Sequence, residues 1–282
     1  FSEDAIRAAN PAYGDFLNPA EVRDQAESAR RMPSREAAYR NLVLNQRIDQ
    51  RTPLIARAVW EACAGEADLE ELRTGVVFVG LDLSARNDLT ALVTVVRDLS
   101  GVWHWFPEFF APLEQLRERS LRDRAPYDVW HQQGFLTATP GASVDYEIVA
   151  RRLCELCDDF DVQAIAFDRW RIDVLQRELQ RLDRELPLKP FGQGFKDMSP
   201  ALDTVESELL NGRIRHGAHP VLTWNAANAV ATRDPAGNRK LDKMKARGRI
   251  DGLVAATMAM GLASQLPAAL PSVYESRGLT VL

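Results

Sequence analysis

The sequence has 282 residues, 46% of them hydrophobic and 27% charged, a globular composition that excludes a wholly disordered chain. No apolar run reaches the roughly 20 residues that a membrane span requires, and the opening FSEDAIRAANPAYG lacks the basic-then-apolar pattern of a secretion signal. A formal net charge of −5 argues against a protein that coats nucleic acid through its overall field, and leaves room for a local basic groove.

Residues 1–72 read as polar and helical, with PAEVRDQAESARR and SREAAYRNLVLNQ as two amphipathic helices around Met32-Pro33. This stretch is expected to be a linker or flanking layer, because it holds no strand-rich core. From Gly75 the character changes. GVVFVGLDLS, LTALVTVVRDL and VWHWFPEFFAP read as three successive strands, joined through the polar turn Ala85-Arg86-Asn87-Asp88 and the tight turn Ser100-Gly101, and so form an antiparallel meander. LEQLRERSLRD and VDYEIVARRLCELCDDF then supply helices, VQAIAFDRW a short buried strand, and IDVLQRELQRLDREL another helix. A meander followed by helix–strand alternation predicts an α/β fold with a mixed sheet flanked by helices.

Further on, LKPFGQGF reads as a strand, SPALDTVESELLNG as a helix capped by Ser199, and VLTWNAANAVATRD as another helix. A turn at residues 234–238 leads into the basic run RKLDKMKARGR. IDGLVAATMAMGLASQL is apolar on nearly every side, as befits a helix buried against the sheet. Residues 73–265 are therefore expected to make one domain, and the proline-containing stretch 266–282 a tail.

Three aspartates stand where apolar elements end. Asp82 interrupts VVFVGLDLS, Asp168 closes VQAIAFDRW at the sheet edge where α/β proteins place ligands, and Asp251 opens the apolar helix. Each has an ordinary explanation: a bond to a neighbouring turn for Asp82, a helix cap for Asp168, a partner for the helix dipole for Asp251. Together they suit phosphodiester hydrolysis with Mg²⁺ or Mn²⁺, because a buried carboxylate needs a counter-charge and hard oxygens bind such ions. Two ions about 3.5–4 Å apart stabilise both attacking and leaving oxygens. Asp88 is read as a turn residue.

The basic residues Arg239, Lys240, Lys243, Lys245, Arg247 and Arg249 precede Asp251; beside a metal site, Lys243, Lys245, Arg247 and Arg249 are candidates for contacting DNA phosphates. Trp103, Trp105, Phe106, Phe109 and Phe110 read as core. Cys154 and Cys157 form a CxxC on a helical pattern and are read as packing residues rather than zinc ligands; with Cys63 they make three cysteines, too few for a disulfide scaffold. His216 and His219 are given no catalytic role.

GLDLSARNDLTALV, RAPYDVWHQQGFLTATPGASVDYEIV, IAFDRWR and the stretch from GFKDMSPALD to KARGRIDGLVAATMAM resemble, in that order, the nuclease domain of tailed-bacteriophage terminase large subunits. The resemblance covers roughly residues 75–264, and AANPAYG and NLVLNQRIDQ resemble the stretch after that family's packaging ATPase domain. It implies an RNase H-like fold and a two-metal endonuclease that cuts concatemeric viral DNA during packaging, with Asp82, Asp168 and Asp251 as metal ligands. It implies double-stranded DNA, a portal protein and a small terminase subunit as partners, and the host cytoplasm as location. The GxxxxGK[ST] loop of a packaging ATPase does not occur here, so this chain alone is not expected to hydrolyse ATP, and an ATPase domain is expected before Phe1. The competing readings are another RNase H-like nuclease of transposase or resolvase type, and a non-catalytic module that docks DNA or portal.

Overall fold

The computed structural model describes residues 2–31, 33–46, 54–66, 72, 75–84, 89–114, 116–169 and 172–265. The polar turn at 85–88, with Asp88, and the tail at 266–282 lie outside the described residues.

Three helices open the chain: α1 (Glu3–Ala9), α2 (Pro19–Arg31) and α3 (Pro33–Leu42). Ser2 caps α1 by accepting the Ala5 N–H at 3.3 Å, and Asn18 accepts from Ala20 just before α2 at 3.0 Å. Ile6, Val22, Ala26, Ala29, Tyr39 and Leu44 close on one another as a small apolar cluster separate from the main core. The next helix, α4 (Arg57–Ala62), behaves differently, because Trp60 and Cys63 are buried in the main core.

The meander follows as expected: β1 (Val76–Asp82), β2 (Thr90–Arg97) and β3 (Trp103–Pro112) pair antiparallel, with Asp82 opposite Ala91 and Thr90 opposite Phe110. Two short helices, α5 (Leu116–Asp123) and α6 (Tyr127–Gln132), precede β4 (Thr137–Thr139). Then come α7 (Tyr146–Asp159), capped by Asp145, β5 (Val162–Phe167), α8 (Ile172–Arg181) and β6 (Leu188–Pro190). The chain continues through α9 (Phe195–Leu210), β7 (Ile214–Arg215), α10 (Pro220–Asn228), a hairpin of β8 (Ala231–Arg233) and β9 (Arg239–Leu241), and α11 (Asp251–Gln265). Sheet order is β4-β3-β2-β1-β5-β6, with β7 on the other end of β3; β5 runs parallel to β1, and β6 to β5.

Alternation along β1 divides the two faces. Val77, Val79 and Leu81 pack with α7 and α8 residues such as Val149, Leu153 and Leu175, whereas Phe78 joins the layer that contains α11 and α9. Gly80 and Asp82 share the face of Phe78. On that face α11 is buried from Asp251 to Ala263, which explains a helix with no polar side. Its approach requires Gly80, since a Cβ there would lie 1.9 Å from the Ala255 carbonyl oxygen.

Two expectations from the sequence are corrected. Ser199 does not cap a helix: α9 begins earlier, after Gly194, and the Ser199 hydroxyl instead accepts the Arg239 N–H at 3.1 Å. VLTWNAANAVATRD is not one helix, because Ala229 is extended and residues 231–233 pair with β9. Asp234 closes that hairpin by accepting the Asn238 N–H at 2.9 Å, with Gly237 at φ +87°.

At the β2–β3 turn, Asp98 accepts from the Ser100 hydroxyl at 2.7 Å and the Val102 N–H at 2.9 Å, and lies 2.8 Å from His104 Nε2. Burial raises the Asp98 carboxyl, but the bonds from His104, Ser100 and Val102 outweigh it and bring it down to about 2.

Replacing Gly80 with Ala should lower the urea midpoint by the equivalent of at least 1–3 kcal/mol, since neither backbone can yield locally; an unchanged midpoint would contradict the close packing of α11. Asp98→Asn should be less stable than wild type at pH 7. Because the folded carboxyl is depressed, its contribution is full above the ordinary carboxylate range and is lost towards pH 2, so denaturation curves of the two proteins should converge on acidification.

Candidate metal and nucleic-acid site

Asp82 is the last residue of β1 and Asp251 the first of α11, and both are nearly fully buried, at 3% and 2% exposure. The ammonium of Lys243 lies between them, 2.7 Å from Asp82 Oδ2 and 2.8 Å from Asp251 Oδ1. Gln193, in the loop between β6 and α9, donates its amide to Asp82 Oδ1 at 3.2 Å. Asp168 directly follows Phe167, which pairs with Leu81, so β1 and β5 deliver Asp82 and Asp168 to neighbouring strand ends. Asp168 is half-buried and stays outside the Lys243 clamp; among the described residues, no three His, Cys, Asp or Glu side chains are gathered closely enough to hold a metal ion.

Burial and opposed charges set the electrostatics of the site. Burial raises the Asp82 carboxyl, Lys243 pulls it back and Asp251 raises it again, and the balance leaves it at about 6. Burial lowers the Lys243 ammonium, but the two carboxylates outweigh burial and hold it firmly cationic. The Lys243 ammonium thus serves both buried carboxylates at once.

Local sequence explains why Lys243 points inward. The Asp242 carboxylate accepts the N–H groups of Met244 and Lys245 at 3.0 and 3.1 Å, closing a turn in which Met244 is 94% exposed. The Asp242 and Arg247 N–H groups bond back to Val230 and Asn228, fixing the loop to the end of α10.

The basic run is thereby split. Arg239 is buried and pairs with Asp203 and Glu206 of α9, and Lys240 stands over the Phe195 ring. Lys245 and Arg247 are exposed, Lys245 reaching Thr232 at 3.0 Å. Arg249 is half-buried and donates to Asp123 at 3.2 Å; Asp123 also receives Arg122 at 2.7 Å and the Tyr127 hydroxyl at 2.9 Å. Thus Arg249 braces the entry to α11 against α5 and α6.

The sequence reading missed two supports. Gln193 lies in LKPFGQGF, which reads as a strand throughout, whereas the strand is only Leu188–Pro190 and Gln193 sits in the loop before α9. Asn225 is fully buried in α10 and accepts the Gly252 N–H at 2.6 Å, holding the first turn of α11; a polar residue amid VLTWNAA was the available signal. Gly252 itself has no room for a side chain, since a Cβ would lie 2.5 Å from the Phe109 ring.

The histidines, cysteines and aromatic residues set aside pack in or against the interior, though Phe106, read as core, is only partly buried. His216 stacks on Trp60 at 3.9 Å and bonds the Trp60 carbonyl, while burial among Phe109 and Phe135 lowers His219 to about 4. Cys154 is buried and Cys157 packs beside the α7–α8 layer, where burial raises both thiols. Trp103, Trp105, Phe109 and Phe110 are core.

The sequence profile described as "Terminase large subunit, endonuclease domain" matches residues 5–266. The chain belongs to that family. It is 56% identical to the terminase large subunit of Enterobacteria phage HK97 over 257 residues, 91% of this chain and 50% of that protein. The crystal structure of the HK97 large terminase superposes with a TM-score of 0.71 at 53% identity, over 93% of this chain and 54% of that one. Protein YmfN of Escherichia coli K12 is 23% identical over 269 residues, 92% of this chain and 59% of that protein. The chain thus spans about half the length of the curated relatives it matches. In this terminase endonuclease domain Asp82 and Asp168 stand at neighbouring strand ends of the mixed sheet, and Asp251 opens the helix packed on its face.

Proposed function

We propose that this chain is a metal-dependent DNA endonuclease that cuts concatemeric viral DNA during genome packaging, with Asp82, Asp168 and Asp251 holding two divalent cations, Mg²⁺ or Mn²⁺. The observation that carries this reading is the pair of buried carboxylates, Asp82 and Asp251, converging on a single cationic group at 2.7 and 2.8 Å. Two such acids persist in a folded interior only with positive charge between them, and hard oxygen donors suit Mg²⁺. Asp168 follows the end of the adjacent strand, next to Asp82 in the sheet, and is assigned as the third ligand.

Bound divalent ions supply an activated water and charge stabilisation at the scissile phosphate. The chain's own residues do the rest. Gln193 orients the Asp82 carboxylate through Oδ1, leaving Oδ2 directed at the centre. Asn225 and the Arg249–Asp123 pair fix the start of α11 and with it Asp251. Lys245 and Arg247, exposed on the loop that enters the site, face outward to take backbone phosphates of double-stranded DNA, and Lys243 lies beside them at the mouth. In this reading an ATPase domain acting in cis, the portal protein and the small terminase subunit are its partners, and it works in the host cytoplasm. Among the described residues no helix is long and apolar enough to cross a membrane.

Supercoiled plasmid incubated with the purified chain should be nicked or linearised with Mg²⁺ or Mn²⁺ and left intact with EDTA. Asp82→Ala, Asp168→Ala and Asp251→Ala, each verified as folded, should lose more than about 100-fold in rate. Wild type inactive with both metals would favour the docking-module reading, and three fully active variants would refute the assigned acids. For binding, Lys245→Ala combined with Arg247→Ala should reduce the slope of log affinity against log salt by about 2, one phosphate per removed cation; an unchanged slope would place the DNA elsewhere.

A further inference from the structure

We propose that Lys243 is a built-in competitor for the cation site, its ammonium clamping Asp82 and Asp251 together without metal and leaving them when a divalent ion enters. This rests on the reading of the acids as metal ligands. The ammonium contacts one oxygen of each carboxylate, at 2.7 and 2.8 Å, and these are the oxygens that an ion shared by the two acids would use. An ammonium and a divalent ion cannot both sit between the carboxylates, because the cations would repel at contact distance.

The attachment of Lys243 suits such an exchange. It stands on the loop between β9 and α11 rather than within a strand or helix, and its side chain is 36% exposed although its ammonium meets two buried acids. The stem therefore has open space to turn into, and Asp242 and Val230 anchor the turn beneath it independently of the ammonium. Asp82 and Asp251, by contrast, are set in β1 and α11 and stay where they are. The site thus keeps its acids together in the absence of metal, at the expense of metal affinity.

Mn²⁺ binding, read from the free-ion electron paramagnetic resonance signal, should be at least tenfold tighter in Lys243→Met and Lys243→Gln than in wild type. Equal or weaker binding by folded variants would overturn the proposal. Because metal-free variants could be too unstable to purify, wild type supplies a second measurement: amine-reactive labelling read by mass spectrometry should be slow at Lys243 without metal and accelerate on adding Mn²⁺, with Lys245 as the exposed reference. Unchanged protection of Lys243 at saturating Mn²⁺ would equally overturn it. If wild type and variants all fail to bind Mn²⁺ and wild type fails to cut plasmid, the metal reading falls too; if wild type binds and cuts while the variants bind no tighter, only the competition falls.

Discussion

At Gly80 the face of β1 carries no side chain, and α11 rests there with the Ala255 carbonyl where a Cβ would otherwise stand. The whole arrangement of acids depends on that contact. Asp82 lies two residues beyond Gly80 on the same face of the strand, and Asp251 lies about one helical turn before Ala255, so bringing the two backbones together brings the two carboxylates together. A side chain at position 80 would push the helix outward and widen the gap that the Lys243 ammonium spans. Gly252 makes the corresponding concession at the start of the helix, where the Phe109 ring and Asn225 fill the space beside the backbone.

Around this contact the charges form a hierarchy. Exposed pairs such as Arg57 with Glu61 or Arg151 with Glu147 belong to single helices and contribute little to stability. Asp123 with Arg122, Arg249 and Tyr127 is more consequential, since its side chain is only 9% exposed and it ties the loop before α11 to α5 and α6. Deepest is the Asp82–Lys243–Asp251 cluster, where two buried carboxylates share one ammonium. Titratable groups held this close in a buried site shift one another's proton affinity, as the raised Asp82 carboxyl shows.

Much of this was legible in the sequence because the signals were long or physically forced. The Val-rich run ending at Asp82 could only be a buried strand with an acid at its end, and IDGLVAATMAMGLASQL could only be a buried helix. The hairpin of β8 and β9 was not legible: its strands are three residues each, too short for any period to register, and their alanine and arginine content matches a helix as well as a strand. Ser199 looked like a cap because serine is a preferred N-cap residue at the head of SPALDTVESELLNG, yet the helix had already begun and the hydroxyl was taken by a residue forty positions away. The roles within the basic run were equally hidden. Composition marks Arg239, Lys243, Lys245 and Arg249 alike as cations, whereas tertiary contacts send the first into α9, the second between the acids, the third into solvent and the last to Asp123.

The position of α11 in the chain also governs when the site can exist. It follows every strand of the sheet, yet it covers one face of β1 and β2 and contributes one of the two clamped acids. During synthesis the meander emerges first, with Phe78 and Gly80 on a face that nothing yet covers, and stays incomplete until some 170 further residues have been made. A nascent or C-terminally truncated polypeptide therefore carries Asp82 without Asp251 or Lys243, so this cluster of charges is the last part of the fold to be assembled.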